Sequence, residues 1–130
     1  MKLIIGGRAQ GKLDYAKLNI DKEYVVYDGV MPDDNSDGNP VCDKIIIVNH
    51  FHEFVRKEMK ENGNPKEEIF SFLDKHDDVI IISDEVGNGI VPVDAFEREY
   101  RETTGRILGE LAKRADTVVR VICGIGQVIK

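Results

Sequence analysis

With 130 residues, 42% of them apolar and 32% charged, the sequence has the size and composition of one globular domain able to bury its own core. A net charge of −6 argues against a broad nucleic-acid-binding surface, and no apolar run reaches the length of a membrane span. The chain enters an apolar run within two residues, with neither a basic leader nor a cleavage-type apolar segment, so a cytoplasmic location is expected.

The first apolar run, residues 3–5, leads directly into Gly6-Gly7-Arg8-Ala9-Gln10-Gly11-Lys12. This is the glycine and lysine spacing of a phosphate-binding loop between a strand and a helix, the helix being expected over residues 11–20. In such a loop the backbone N–H groups of Gly6, Gly7, Arg8, Ala9, Gln10 and Gly11 surround phosphate oxygens, and Lys12 neutralises the outer phosphates. The position that normally supplies a hydroxyl to Mg²⁺ is Leu13. The anion-binding part of the motif is therefore present and its metal-positioning part is not.

Further short runs rich in β-branched residues follow at 24–27, 45–48, 79–82 and 118–122. Helix-compatible stretches at about 51–61, 66–75 and 94–114 separate them. This alternation predicts an α/β fold with a mainly parallel sheet and right-handed crossovers, in a single domain over residues 1–130. Residues 28–43 combine turn formers with acidic charge and lack the spacing of a calcium-binding loop, so they read as a solvated connection without metal. Asn62-Gly63-Asn64-Pro65 ends one helix and starts the next. Cys42 and Cys123 lack any ligand-type spacing and read as reduced structural thiols.

The run 79–82 continues into Ser83-Asp84-Glu85-Val86-Gly87-Asn88-Gly89-Ile90-Val91-Pro92, two acids and two glycines at the carboxyl end of a strand, which is the ligand edge of an open α/β sheet. This segment resembles the signature of the adenosylcobinamide kinase / adenosylcobinamide-phosphate guanylyltransferase family of cobalamin biosynthesis. Arg98 to Glu102, Gly105-Arg106, Leu111-Ala112, Ala115-Asp116, Gly124-Ile125-Gly126 and Ile129-Lys130 are similar to that family's C-terminal half, and residues 6–12 to its loop. The fit is poor between about residues 28 and 77.

The resemblance implies a three-layer phosphate-loop sandwich that binds GTP or ATP with Mg²⁺, acts on cobinamide, a corrinoid, and assembles into homo-oligomers. It also implies two reactions: phosphorylation of the corrinoid hydroxyl, then transfer of GMP through a histidine-linked intermediate. Lys12, Asp84 and Glu85 are the candidate catalytic residues, with Asp84 and Glu85 able to position metal or alcohol. Glu85 has a structural alternative, capping a turn or pairing with an arginine. Gly87 and Gly89 are explained by backbone geometry. Arg98, Arg101 and Arg106 read as partners of Glu97, Glu99 and Glu102 rather than as phosphate ligands.

Several family features are missing. Leu13 replaces the serine, Val48-Asn49 stands where an acid is expected, and the segment that bears the family's histidine is absent between the second and third strands. His52-Glu53-Phe54-Val55-Arg56 has the family's His-x-x-x-Arg spacing but falls on the following helix, leaving both a substitute nucleophile and a solvated helical histidine open. The sequence thus points to a nucleotide-dependent cobinamide kinase-like transferase that has lost guanylyltransfer. A non-catalytic nucleotide or corrinoid sensor, or a structural oligomer partner, is the alternative.

Overall fold

A computed structural model describes residues 1–32, 44–86 and 93–130. Its elements in chain order are β1 (Lys2–Gly6), α1 (Lys12–Leu18), β2 (Tyr24–Asp28), β3 (Ile45–Asn49), α2 (Phe51–Lys60), α3 (Pro65–Lys75), β4 (Val79–Asp84), α4 (Ala95–Arg114), β5 (Thr117–Ile122) and β6 (Ile125–Val128). The strands form one sheet in the order β2-β3-β4-β1-β5-β6, parallel except for β6. This is the expected mainly parallel α/β sandwich of the phosphate-loop type. Among the described residues, no helix is long and apolar enough to cross a membrane.

Strand alternation sends neighbouring side chains to opposite faces, and both faces are apolar. Leu3, Ile46, Val48, Val79, Ile81 and Val118 face α2, α3 and α4, packing against Phe51, Phe54, Ile69, Leu73, Ile107 and Leu111. Ile4, Ile47, Ile80, Ile82, Val119 and Val121 face the other way, where Ala16, Leu13 and Tyr15 of α1 cover them. The result is three layers of unequal weight, with, among the described residues, one short helix on one side and three helices on the other.

Local chemistry sets the helix ends. The Asn64 side chain accepts from the Glu67 N–H with Pro65 at the first helical position, and Asp94 accepts from the N–H groups of Phe96 and Glu97. α1 is shorter than the expected 11–20 because it begins at Lys12, past the left-handed Gly11, and stops at Leu18, where Asn19 caps it and gives its side-chain amide to Tyr15 O at 2.8 Å.

β6 is absent from the sequence-based expectation. It pairs antiparallel with β5 through a two-residue turn in which Cys123 (φ 50°) and Gly124 (φ 77°) are both left-handed, the geometry that suits the twist of a hairpin. Cys123 is exposed in this turn and is not a core thiol. β2 extends one residue past the expected run, so Asp28 closes a strand instead of opening a loop, in register with Asn49. The remainder of the acidic stretch from residue 33 with Cys42, and the segment 87–92 with Gly87 and Gly89, lie outside the described residues.

Candidate functional site

The carboxyl ends of β1, β3 and β4 open onto a cleft of about 980 Å³. One wall is the loop between β1 and α1. Gly6 is fixed by its neighbour strand, since a Cβ there would lie 2.5 Å from Val121 O. Beyond it the chain turns through a left-handed Ala9 (φ 56°) and Gly11 (φ 84°), and the Gly11 carbonyl accepts the Tyr15 N–H at 2.9 Å as α1 begins. The loop tip is fastened to the β5–β6 turn: Gln10 Oε1 accepts from Cys123 N–H at 2.7 Å, and Gln10 O accepts from Gly124 N–H at 2.8 Å. Gly126 completes the contact because its face lies on the Tyr15 ring, 2.3 Å from where a Cβ would stand.

The floor of the cleft is an ion pair. Lys12 is only 7% exposed, and its Nζ donates to Gly7 O at 2.6 Å and to Asp84 Oδ1 at 2.7 Å. Asp84, the last residue of β4, is in register with Gly6. Glu85 continues that ladder, its N–H donating to Gly6 O at 2.8 Å, and so its side chain points away from the direction of Asp84. Its carboxylate takes the Arg120 guanidinium in a fork, at 2.8 Å from Nε and 3.0 Å from Nη2. The two adjacent acids therefore occupy different surroundings. Asp84 lines the cleft with Arg8, Ala9, Gln10, Gly11 and Lys12, whereas Gly6, Gly7 and Glu85 are not among its lining residues.

The opposite wall is the first half of α2. His52 is buried, and its Nδ1 accepts the Asp84 N–H at 3.1 Å while Nε2 lies 3.4 Å from Asp84 Oδ2. Accepting at Nδ1 places the proton of the neutral ring on Nε2, where it faces the carboxylate. Burial lowers the His52 pKa below its ordinary 6.5, against the raising influence of Asp84. The solvated helical histidine that the spacing left open is thus not what forms. Tyr100 of α4 donates its hydroxyl to His52 O at 3.1 Å, and burial raises its phenol pKa even with the Arg56 guanidinium 4.8 Å above the ring. Arg56 pairs with Glu97, and among the described residues its buried Nε has no hydrogen-bond partner.

At the neighbouring strand ends stand Asn49, which the sequence marked only as replacing an acid, Asp28, which it placed in a loop, and His50, which it passed over. Asn49 is buried and gives its amide to Asp28 Oδ1 at 3.1 Å, and His50 Nδ1 meets the same oxygen. His50 has a left-handed φ of 52°. The one legible signal was position, since Asp28 follows the run 24–27 and Asn49 and His50 follow the run 45–48, both at the ligand edge. Among the described residues, Arg8, Lys12, Arg56, Lys57 and Lys60 also give the cleft five cationic side chains against the acids Asp14, Glu53 and Asp84, an excess of positive charge on a protein of net charge −6.

Two of the positions expected to present oxygen to Mg²⁺, the loop hydroxyl and the acid after the third apolar run, depart from what that ion needs. Leu13 has no oxygen and packs on the α1 face of the core, and Asn49 brings a neutral amide, its NH₂ donating to Asp28, where a carboxylate was expected. Among the described residues no group of three His, Cys, Asp or Glu side chains could hold a metal.

A family model described as cobinamide kinase / cobinamide phosphate guanyltransferase matches residues 39–129. The bifunctional adenosylcobalamin biosynthesis protein CobU of Salmonella typhimurium is 44% identical over 52 residues, covering 40% of this chain and 29% of that protein. The protein of the same description from Escherichia coli is 42% identical over 52 residues, with the same coverage of 40% and 29%. The match thus spans less than a third of the length of either relative. With most of its length matched by the family model, the chain belongs to the cobinamide kinase / cobinamide phosphate guanyltransferase family.

Proposed function

We propose that this chain binds GTP or ATP at residues 6–12 and transfers the terminal phosphoryl group to the side-chain hydroxyl of cobinamide, the guanylyltransfer step having been lost. The observation that carries the reading is the buried Lys12, held between Gly7 O and Asp84 at the foot of a cationic cleft on an acidic protein. A buried ammonium on such short bonds is positioned to exchange one oxygen partner for another, and a phosphate oxygen is the natural competitor for Asp84. Arg8 and the loop N–H groups supply the remaining donors. The cleft volume lies at the upper end of the range for small-molecule sites, which leaves room for part of an acceptor beside a nucleotide. Asp84 faces the acceptor side; Glu85, engaged by Arg120, supports the strand end. Leu13 and Asn49 replace the loop hydroxyl and the strand-end acid that would hold Mg²⁺, so the phosphate contacts rest on Lys12, Arg8 and the loop N–H groups.

A second reading, nucleotide binding without turnover, is favoured by Leu13 and Asn49, which replace the expected oxygen ligands. Calorimetric titration of wild type and Lys12→Ala with GTP and ATP, each with and without Mg²⁺, followed by a cobinamide phosphorylation assay, separates the two. Loss of the charge-assisted contacts of Lys12 is expected to weaken binding by about 30-fold or more, corresponding to ~2 kcal/mol. Unchanged affinity in Lys12→Ala removes the loop as the site, and binding without phosphorylation selects the second reading.

A further inference from the structure

The arrangement at the ends of β2 and β3 has a chemical use of its own. His50 is the first residue beyond β3 and its backbone is left-handed, a conformation that strains a residue bearing a Cβ and that recurs where a side chain must be aimed. Its Nδ1 is joined to Asp28 Oδ1, and Asn49 donates to that same oxygen, so the carboxylate is held from two sides. Giving the Nδ1 proton to a carboxylate fixes the neutral tautomer whose lone pair is on Nε2. Among the described residues Nε2 has no hydrogen-bond partner, and His50 lines the cleft that contains Lys12 and Asp84.

The neighbouring histidine cannot take this part. The His52 ring lies edge-on to His50 at 5.6 Å between centroids, but its Nδ1 accepts from the Asp84 backbone and its Nε2 faces the Asp84 carboxylate. Of the two, only His50 presents an unshared basic nitrogen to the cleft. An oriented carboxylate behind an imidazole, with the distal nitrogen free, is the arrangement by which histidine takes a proton from a hydroxyl.

We propose that His50 is the general base of phosphoryl transfer at this cleft, with Asp28 as its positioning residue; the inference rests on the transferase reading above. The acceptor hydroxyl gives its proton to His50 Nε2 as its oxygen forms a bond to the γ-phosphorus. The bond from that phosphorus to the β,γ-bridging oxygen breaks, and the nucleoside diphosphate leaves with the electron pair. The imidazolium, stabilised by Asp28, then returns the proton to water.

The test is His50→Gly in the full chain, because glycine suits the left-handed backbone and leaves the volume of an imidazole empty. Phosphorylation of cobinamide is expected to fall about 100-fold in kcat, nucleotide affinity to stay within about twofold by calorimetry, and added imidazole to restore the rate. Asp28→Asn is expected to lower kcat while leaving the nucleotide KM unchanged. Full activity in His50→Gly, or a loss that imidazole does not restore, overturns the proposal and leaves the transferase reading standing. A wild type that binds nucleotide but transfers nothing overturns both.

Discussion

The two walls of the cleft are built by different means. The loop wall is held by main chain and glycine: Gly6 against Val121 O, Gln10 O on Gly124 N–H, and Gly126 under the Tyr15 ring. The α2 wall is held by side chains from distant parts of the sequence, His52 on Asp84, Tyr100 on His52 and Asp28 on His50. A wall made of backbone fails by steric collision, and a wall made of side chains fails by loss of charge or proton. The largest expected effect therefore lies in the loop. Gly6→Ala forces a Cβ to 2.5 Å from a carbonyl in the middle of the sheet, where neither strand can retreat. It is expected to cost about 3 kcal/mol of stability in urea unfolding. Gly7→Ala meets nothing nearer than Gln10 Cγ at 3.6 Å and should cost under about 0.5 kcal/mol. Equal losses at the two positions would mean that the loop, and not its seat on β5, is what glycine serves.

The same difference explains what could be read in advance. The loop wall was legible because glycine spacing and an apolar run are local signals, and the phosphate-loop pattern encodes backbone conformation directly. The sheet was legible for a related reason, since the short runs rich in isoleucine and valine mark strands covered on both faces. β6 was not, because its turn uses Cys123 where hairpins favour Asn or Asp, and because Gly126, placed there by the Tyr15 ring, breaks the strand pattern. The α2 wall was barely legible at all. Asp28 and His50 meet only because β2 and β3 are paired with Asp28 opposite Asn49, a register that no local pattern announces. The spacing left His52 open as a substitute nucleophile or a solvated helical histidine, yet α2 starts just after β3, and its first turn is pressed against the end of β4.

The side-chain wall is expected to show itself through pH. Burial holds the folded His52 pKa below 6.5, so as pH falls past that value the unfolded chain takes up this proton before the folded one does. The stability tied to neutral His52 is complete above 6.5 and is lost as pH drops through the lowered folded value. Unfolding midpoints measured at about pH 7.5 and about pH 5.5 should fall for wild type, and fall less for His52→Asn, whose side-chain oxygen can accept the Asp84 N–H without titrating. Comparing the two differences cancels the packing cost of the substitution. Parallel shifts in both proteins would show that His52 does not carry the proton in question.

The smallest effect concerns Glu85, and it separates the two acids that the sequence sets side by side. Glu85 is 17% and Arg120 is 44% exposed, and their fork is a two-point contact partly open to water. Such a pair contributes about 0.5–1 kcal/mol. Glu85→Gln should therefore lower stability by about that amount and leave nucleotide affinity within about twofold of wild type. This contrast follows from one step along β4: Asp84 is turned to Lys12 and the cleft, and Glu85 to Arg120 and β5. If Glu85→Gln instead weakens nucleotide binding by about tenfold, the carboxylate reaches the site despite its partner. The division of the strand end into a cleft-facing acid and a supporting acid then fails.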